Sequence, residues 1–294
     1  MKRLFALILC MASIFCLAAC SGADAGQASS GTGANGAGSG AGQMEFPSGI
    51  SEGLEYRIHE DGTGVSIVGI GECTDAYICI PDRVEGLPVT HVEASAFYCK
   101  DTLRGIKMGH NVQQIGEFAF FGCAALEVVE LNDNLTSIGQ YAFSGCLRLS
   151  GIDIPQSVES IGAWAFYDCK KLTQVHIQDL EKWFAISFEG VYANPLMLAQ
   201  TLYLHGEVVT KVVVPESVTV ILPWTFAGCK SLTEVQLHEN VTEIGQRAFL
   251  DCENMTRLVY GGTHAQWKMM VLGIYWDFSV ENYMIVCQDK EIKG

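Results

Sequence analysis

The sequence predicts a β-rich α/β solenoid, a stack of coils about 23 residues long. Three observations carry this. Phenylalanine recurs at Phe97, Phe120, Phe143 and Phe166, and again at Phe226 and Phe249, with 23 residues between successive members of each run. A cysteine stands three residues after five of these rings, as Cys123, Cys146, Cys169, Cys229 and Cys252. Each unit also opens with apolar residues at positions 1, 4 and 6, as Leu149, Ile152 and Ile154 do. Positions 4 and 6 share one face of a strand while position 5 points away, so the pattern buries one side of a short strand in every coil.

The chain begins outside that pattern. Met1-Lys2-Arg3 precedes an apolar run from Leu4 to Leu17 that ends in Leu17-Ala18-Ala19-Cys20. The run is too short for a permanent bilayer span and reads as an export signal over 1–19. Leu-Ala-Ala-Cys resembles the bacterial lipobox, which implies a diacylglycerol on Cys20 and cleavage ahead of it. The alternative is an ordinary secretory cut at an Ala-x-Ala-like site. Residues 20–45 are then a tether: from Ser21 to Gln43 nearly every residue is Gly, Ala or Ser, and Asp24 is the only charge. Such a coil holds the folded part roughly 25 to 30 Å from its anchor on average.

Residues 46–294 are read as one domain, since stacking buries ample apolar surface for a fold of about 250 residues. Eighteen basic and 33 acidic residues leave the whole chain at −15, and losing Lys2 and Arg3 makes it more acidic. Nucleic acid is excluded as a natural partner by that balance. The five aligned cysteines form an inward column in which a small apolar thiol suits the packing, and free thiols there imply a reducing or anaerobic niche. Bonds within the column are the alternative, because adjacent coils lie near strand spacing.

Taken in order, residues 46–92 form the entry. Leu54 to Ile58 and Val65 to Val68 alternate around Glu60-Asp61-Gly62-Thr63-Gly64, the pattern of a hairpin that caps the first coil. Regular coils start at Leu103, Leu126, Leu149 and Leu232. Position 9 is Asn111, Asn134, Ser157, Ser217 or Asn240, short polar side chains that bond the backbone where the strand turns away. Position 13 is isoleucine, followed mostly by Gly116, Gly139, Gly162 or Gly245, which fit a tight or positive-φ bend. Ala-Phe then opens a short helical or 3₁₀ turn. Residues 172–231 are enlarged coils in which Asp179 caps a helix presenting Trp183, and 255–294 repeat that unit with Thr263 and Trp267 as a C-terminal cap.

Ile154-Pro155, Val158, Ile161-Gly162, Ala165-Phe166 and Cys169 together resemble the BspA-like, or Treponema pallidum type, leucine-rich repeats of bacterial and protist surface proteins. The resemblance runs from about Gly53 to the end and extends to Asn194-Pro195-Leu196 and Tyr260-Gly261-Gly262-Thr263. It implies a right-handed leucine-rich repeat solenoid with parallel strands on one face and short helical turns on the other. It also implies a surface role, since some members are adhesins. Glu93 and Leu222 depart from the repeat glycine, and Cys99 stands one residue early.

No nucleophile, base and stabiliser come together in the pattern, no cysteines and histidines take metal-ligand spacing, and glycine spacing follows the coil period. The reading is therefore of a protein that is not an enzyme and needs no metal or cofactor. The seven histidines are read as mostly solvated. Recognition has two candidate surfaces. Outward strand positions 3 and 5 give Lys107, Val128, Glu130, Asp153, Gln174, His176, Lys211, Glu234, Gln236 and Arg257, the customary binding face of a curved solenoid. Position 16 gives an aromatic ridge of Phe118, Tyr141, Trp164 and Trp224. Its rings either shield the turns by stacking on one another or form an exposed patch. The function that fits is a membrane-anchored surface protein binding a protein or glycan of a host or neighbouring cell. The alternative is a scaffold of the bacterial envelope.

Overall fold

The computed structural model describes residue 46 and residues 49–294. The export signal, Cys20 and the tether lie outside the described residues. The chain winds as a solenoid whose coils have three sides. On the first side lie the expected strands in parallel register, Gly151↔Gln174, Ile152↔Val175 and Asp153↔His176 for one pair. Positions 4 and 6 are buried and position 5 faces out: Ile152 and Ile154 are 2% and 3% exposed, Asp153 is open to solvent. The second side carries a shorter parallel ladder at positions 12 and 13, formed by Gln114–Ile115, Ser137–Ile138, Ser160–Ile161 and Ser187–Phe188. The N-terminal hairpin, Glu55–Ile58 with Val65–Gly69, joins this ladder through Leu87–Val92.

The third side closes each coil through successive tight turns. Within a coil, Ala119, Phe121 and Cys123 donate to the carbonyls of Gly116, Phe118 and Phe120, three residues back as in a 3₁₀ turn. The intervening N–H groups leave the coil: Phe118 donates to Gln140, Phe120 to Ala142 and Gly122 to Ser144. This alternation is possible because positions 16 and 20 are left-handed. Phe118, Tyr141, Trp164 and Trp224 have φ of 57°, 56°, 63° and 67°. Position 20 is Gly122, Gly145, Asp168 or Asp251, also at positive φ, and Cys99 falls there rather than in the cysteine column. Bulky residues avoid this region unless their surroundings fix them. Here a bond to the next coil does so.

The glycines after isoleucine serve a different purpose from the one expected. Positive φ is absent from Gly116, Gly139, Gly162 and Gly245. Instead a Cβ on Gly162 would lie 2.5 Å from the Gln140 nitrogen, and one on Gly139 2.7 Å from that of Glu117. Successive coils approach too closely there for any side chain.

Inside, the phenylalanines stack nearly parallel, with centroids 5.1 Å apart for Phe97 and Phe120, 5.2 Å for Phe120 and Phe143, and 5.7 Å for Phe226 and Phe249. The column cysteines are free and buried. Each of four thiols donates to the phenylalanine carbonyl of the preceding coil, Cys123 to Phe97 at 3.1 Å and Cys169 to Phe143 at 3.2 Å among them. Cysteine thus fills an apolar slot and supplies a weak donor that alanine or valine lacks. Burial pushes the Cys123 and Cys169 thiols up to about 12, so they hold their protons at neutral pH.

The first-side strands Val128–Glu130 and Gly151–Asp153 fall in separate sheets, and both ladders stop in the enlarged coils. The first side ends at Leu202–Leu204, which pairs antiparallel with Glu207–Val208, and a new sheet begins at Lys211–Val213. The second side ends at Ser187–Phe188 and resumes at Val220–Ile221. Helix α1 (Leu180–Ala185), capped by Asp179 as expected, precedes Ser187–Phe188 in the chain, and helix α2 (Leu196–Ala199) follows it. Side chains join the halves, together with a backbone bond from the Ser231 N–H to the Gln200 carbonyl at 3.1 Å. The Thr225 carbonyl accepts from Trp183 Nε1 at 3.0 Å and Asn194 Nδ2 at 2.9 Å, and Asn194 Nδ2 also reaches the Trp224 carbonyl. Asn194 is 1% exposed and its oxygen accepts from the Leu196 N–H, so its amide is used from both ends.

Gly162→Ala should cost about 1 to 3 kcal/mol, the penalty of forcing a methyl into a packed contact. Urea unfolding of the variant checks this. An unchanged midpoint would show that the coils are free to separate.

Candidate recognition surface

The outward residues of the first side are tied to one another along the ladder. Lys107 lies 2.8 Å from Glu130 and 5.9 Å from the centre of the Phe46 ring. Lys211 lies 3.8 Å from Glu234, which accepts from Gln236 Nε2 at 2.7 Å. Exposed pairs of this kind contribute at most about 1 kcal/mol each, so they order the surface more than they hold the fold. Val128 is half-buried, and Asp153 and Arg257 stand open to solvent. Gly105 is dictated by a neighbour, since a Cβ there would meet the Tyr77 ring at 2.5 Å.

At the centre of this side the structure adds a residue that the repeat pattern did not supply. Tyr203 stands in register with His176, and their rings stack at 4.7 Å. His176 Nε2 is 3.3 Å from Gln174 Oε1, and Asp153 pairs with His176 from the other side. Asp153, Gln174, His176 and Tyr203 therefore form one polar and aromatic group across three coils. The strand around Tyr203 is visible in the sequence, but its coil is enlarged, so counting by 23 does not assign it a place on the face.

The position-16 ridge is a continuous stack. Phe118 and Tyr141 lie 4.9 Å apart and 7° from parallel, Tyr141 and Trp164 6.1 Å apart and 9° from parallel, and Tyr192 follows at 5.6 Å from Trp164. Trp224 is buried, and Arg247 sits 5.0 Å over its ring and 5.4 Å over that of Tyr275. The ring faces are taken by neighbouring rings or a guanidinium, so a ligand would find mainly edges. This geometry favours packing as the role of the ridge.

Two further features escape the repeat pattern. Only His110 and His205 are exposed, while the other five histidines are partly buried, which corrects the expectation that most are solvated. His238, for example, stands within 3.0 Å of the Pro215 and Val218 carbonyls. On the final coil, Met269, Val271, Ile274, Tyr275 and Phe278 form an exposed apolar patch, because no further coil covers them among the described residues.

The sequence profile of the BspA type leucine rich repeat region matches this chain in six copies, over residues 90–195 and 197–267. Among solved structures, a leucine rich repeat protein of Treponema pallidum is 25% identical, with a TM-score of 0.44 over 75% of this chain and 83% of that one. A leucine-rich repeat protein of Bacteroides capillosus is 29% identical, with a TM-score of 0.40 over 43% of this chain and 95% of that one. A leucine rich cell surface protein of Faecalibacterium prausnitzii is 15% identical, with a TM-score of 0.34 over 76% of this chain and 97% of that one. No curated protein matches the chain.

Proposed function

Since the chain belongs to the family of proteins built from BspA type leucine rich repeats, we propose that it is a surface binding protein. In this reading Cys20 carries the lipid, the Gly/Ala/Ser segment spaces the solenoid from the membrane, and the first side takes a protein or glycan of a host or neighbouring cell. The observation that carries the reading is the division of labour within each strand. Ile152 is buried between coils while Asp153 beside it is open, so the outward row can vary without disturbing the stack.

The group around His176 and Tyr203 is the natural anchor. Two stacked rings present apolar area already ordered by their contact, with Asp153 and Gln174 beside them as hydrogen-bonding groups. Aromatic residues dominate the energetics of many interfaces because they bury area at low entropic cost. The acidic balance favours partners that bring basic or neutral surface to this face.

A screen of residues 46–294 against matrix proteins, mucins and cell surfaces identifies the partner. His176→Ala with Tyr203→Ala should then weaken binding about tenfold or more, or about 1.4 kcal/mol and upward. Glu130→Lys with Asp153→Lys should weaken it further for a basic partner. Binding unchanged by both variants would remove this face from the reading, and a partner recovered only from the parent envelope would favour a scaffold. In the full chain, Cys20→Ala should move the protein from the membrane fraction to the soluble one, and continued sedimentation with membranes would contradict the anchor.

A further inference from the structure

His59 and His91 meet at the N-terminal cap, away from the proposed binding face. Ser66, in the hairpin strand Val65–Gly69, pairs with Arg57 on one side and with His91 on the other, and His91 pairs in turn with Gln114. The His59 and His91 rings lie 5.2 Å apart at 68°, edge to face. His59 Nε2 is 2.9 Å from Ser66 Oγ, and Thr90 Oγ1 is 2.8 Å from His91 Nδ1. Ser66 is 1% exposed, so its hydroxyl has no access to water as a substitute partner. These contacts fasten the hairpin to the strand Leu87–Val92 across an irregularity in the pairing between Val65 and Ser66.

The hydrogen bonds fix how the two rings share protons with their neighbours. Glu93 is 2.9 Å from Arg57, and its carboxylate is held below its ordinary value by bonds from Ser66 and Arg57 that outweigh its burial. With the Ser66 proton directed at Glu93, Ser66 Oγ accepts from His59 Nε2. His91 donates to Gln114, which leaves Nδ1 to accept from the Thr90 hydroxyl. A second proton on His91 would turn that hydroxyl round to accept, and would place a charge 5.2 Å from the His59 ring. The charged groups around the pair are Arg57, which adds to the repulsion, and Glu93 and Asp61, which oppose it. Glu93 is already engaged by Arg57, and Asp61 is bonded to Thr63 in the exposed hairpin turn.

We propose that His91, packed edge to face against His59, is an acid-sensitive latch on the N-terminal cap: neutral, it holds the hairpin against the first coil, and protonated, it releases it. Release would free the edge of Leu87–Val92, whose backbone groups are otherwise covered by the hairpin. The direction comes from linkage. Burial, and then the nearby His59, push the His91 imidazole below its ordinary value of 6.5. The unfolded chain therefore takes up the proton first. The contribution to stability is complete above that value and is lost as pH falls through the lowered folded one.

Hydrogen exchange of the full chain at pH 7.5 and 5.0, corrected for intrinsic rates, tests this. Peptides covering Glu55–Gly69 should exchange about tenfold faster at pH 5.0, while those around Phe226 and Phe249 should not. His59→Gln with His91→Gln should remove the difference, and His110→Gln should leave it intact. Should the double variant not fold, a histidine titration of the unaltered chain by NMR decides. Hairpin resonances moving together with those of His91 support the latch. A pH response that persists in the double variant, spreads evenly over the chain, or is absent from the unaltered protein overturns it.

Discussion

The spacing between successive coils is the constraint on which the rest of the structure depends. It is fixed on three sides by backbone hydrogen bonds: the strand pairs of the first side, the two-residue bridges of the second, and the outward N–H groups of positions 16, 18 and 20 on the third. Backbone groups buried in a stack must be bonded, so most coils are held at bonding distance, the exceptions being Val128–Glu130 against Gly151–Asp153 on the first side and the enlarged coils. Glycine at position 14 is a consequence, because no Cβ fits between Gly162 and Gln140. Left-handed aromatic residues at position 16 are another, since that conformation turns their N–H toward the next coil. So is the stacking of like side chains, which the spacing places ring over ring.

Much of this was legible in the sequence because repetition reveals which positions the stack controls. Leu149, Ile152, Ile154, Ile161, Phe166 and Cys169 are all buried, as their recurrence implied. The polar residue at position 9 behaves as expected in three coils, where Asn111, Asn134 and Ser157 bond the carbonyls of Asp82, His110 and Leu135 in the preceding coil, whereas Ser217 donates to the Glu181 carboxylate. What repetition could not reveal is why a residue recurs. Gly162 and Trp164 sit two residues apart, and intuition gives positive φ to the glycine, whereas the structure gives it to the tryptophan. A close approach between coils leaves the same mark on a sequence as a bend within one.

Features that occur once were harder to read. Tyr203 lies in an enlarged coil outside the count of 23, and its partnership with His176 depends on strand register. The His59 and His91 contact depends on where a hairpin folds back, and the two residues are 32 positions apart. Asn194 looks like a turn residue beside proline, yet with Trp183 it joins the two halves where both ladders stop. Single positions of this kind are where the chain departs from a uniform stack, and both its proposed recognition group and its proposed latch lie there.

Amide hydrogen exchange along the third side tests the account most directly. If the coils are bonded to one another there, the amides of Phe120, Phe143, Phe166 and Phe226 should be protected as strongly as those of the first-side strands. The N–H groups of Tyr275, Asp277 and Ser279 hold the same positions on the last coil and form no backbone bond among the described residues, so they should exchange far faster. Equal protection at Phe120 and Tyr275, or rapid exchange at both, would contradict a fold built on spacing between coils.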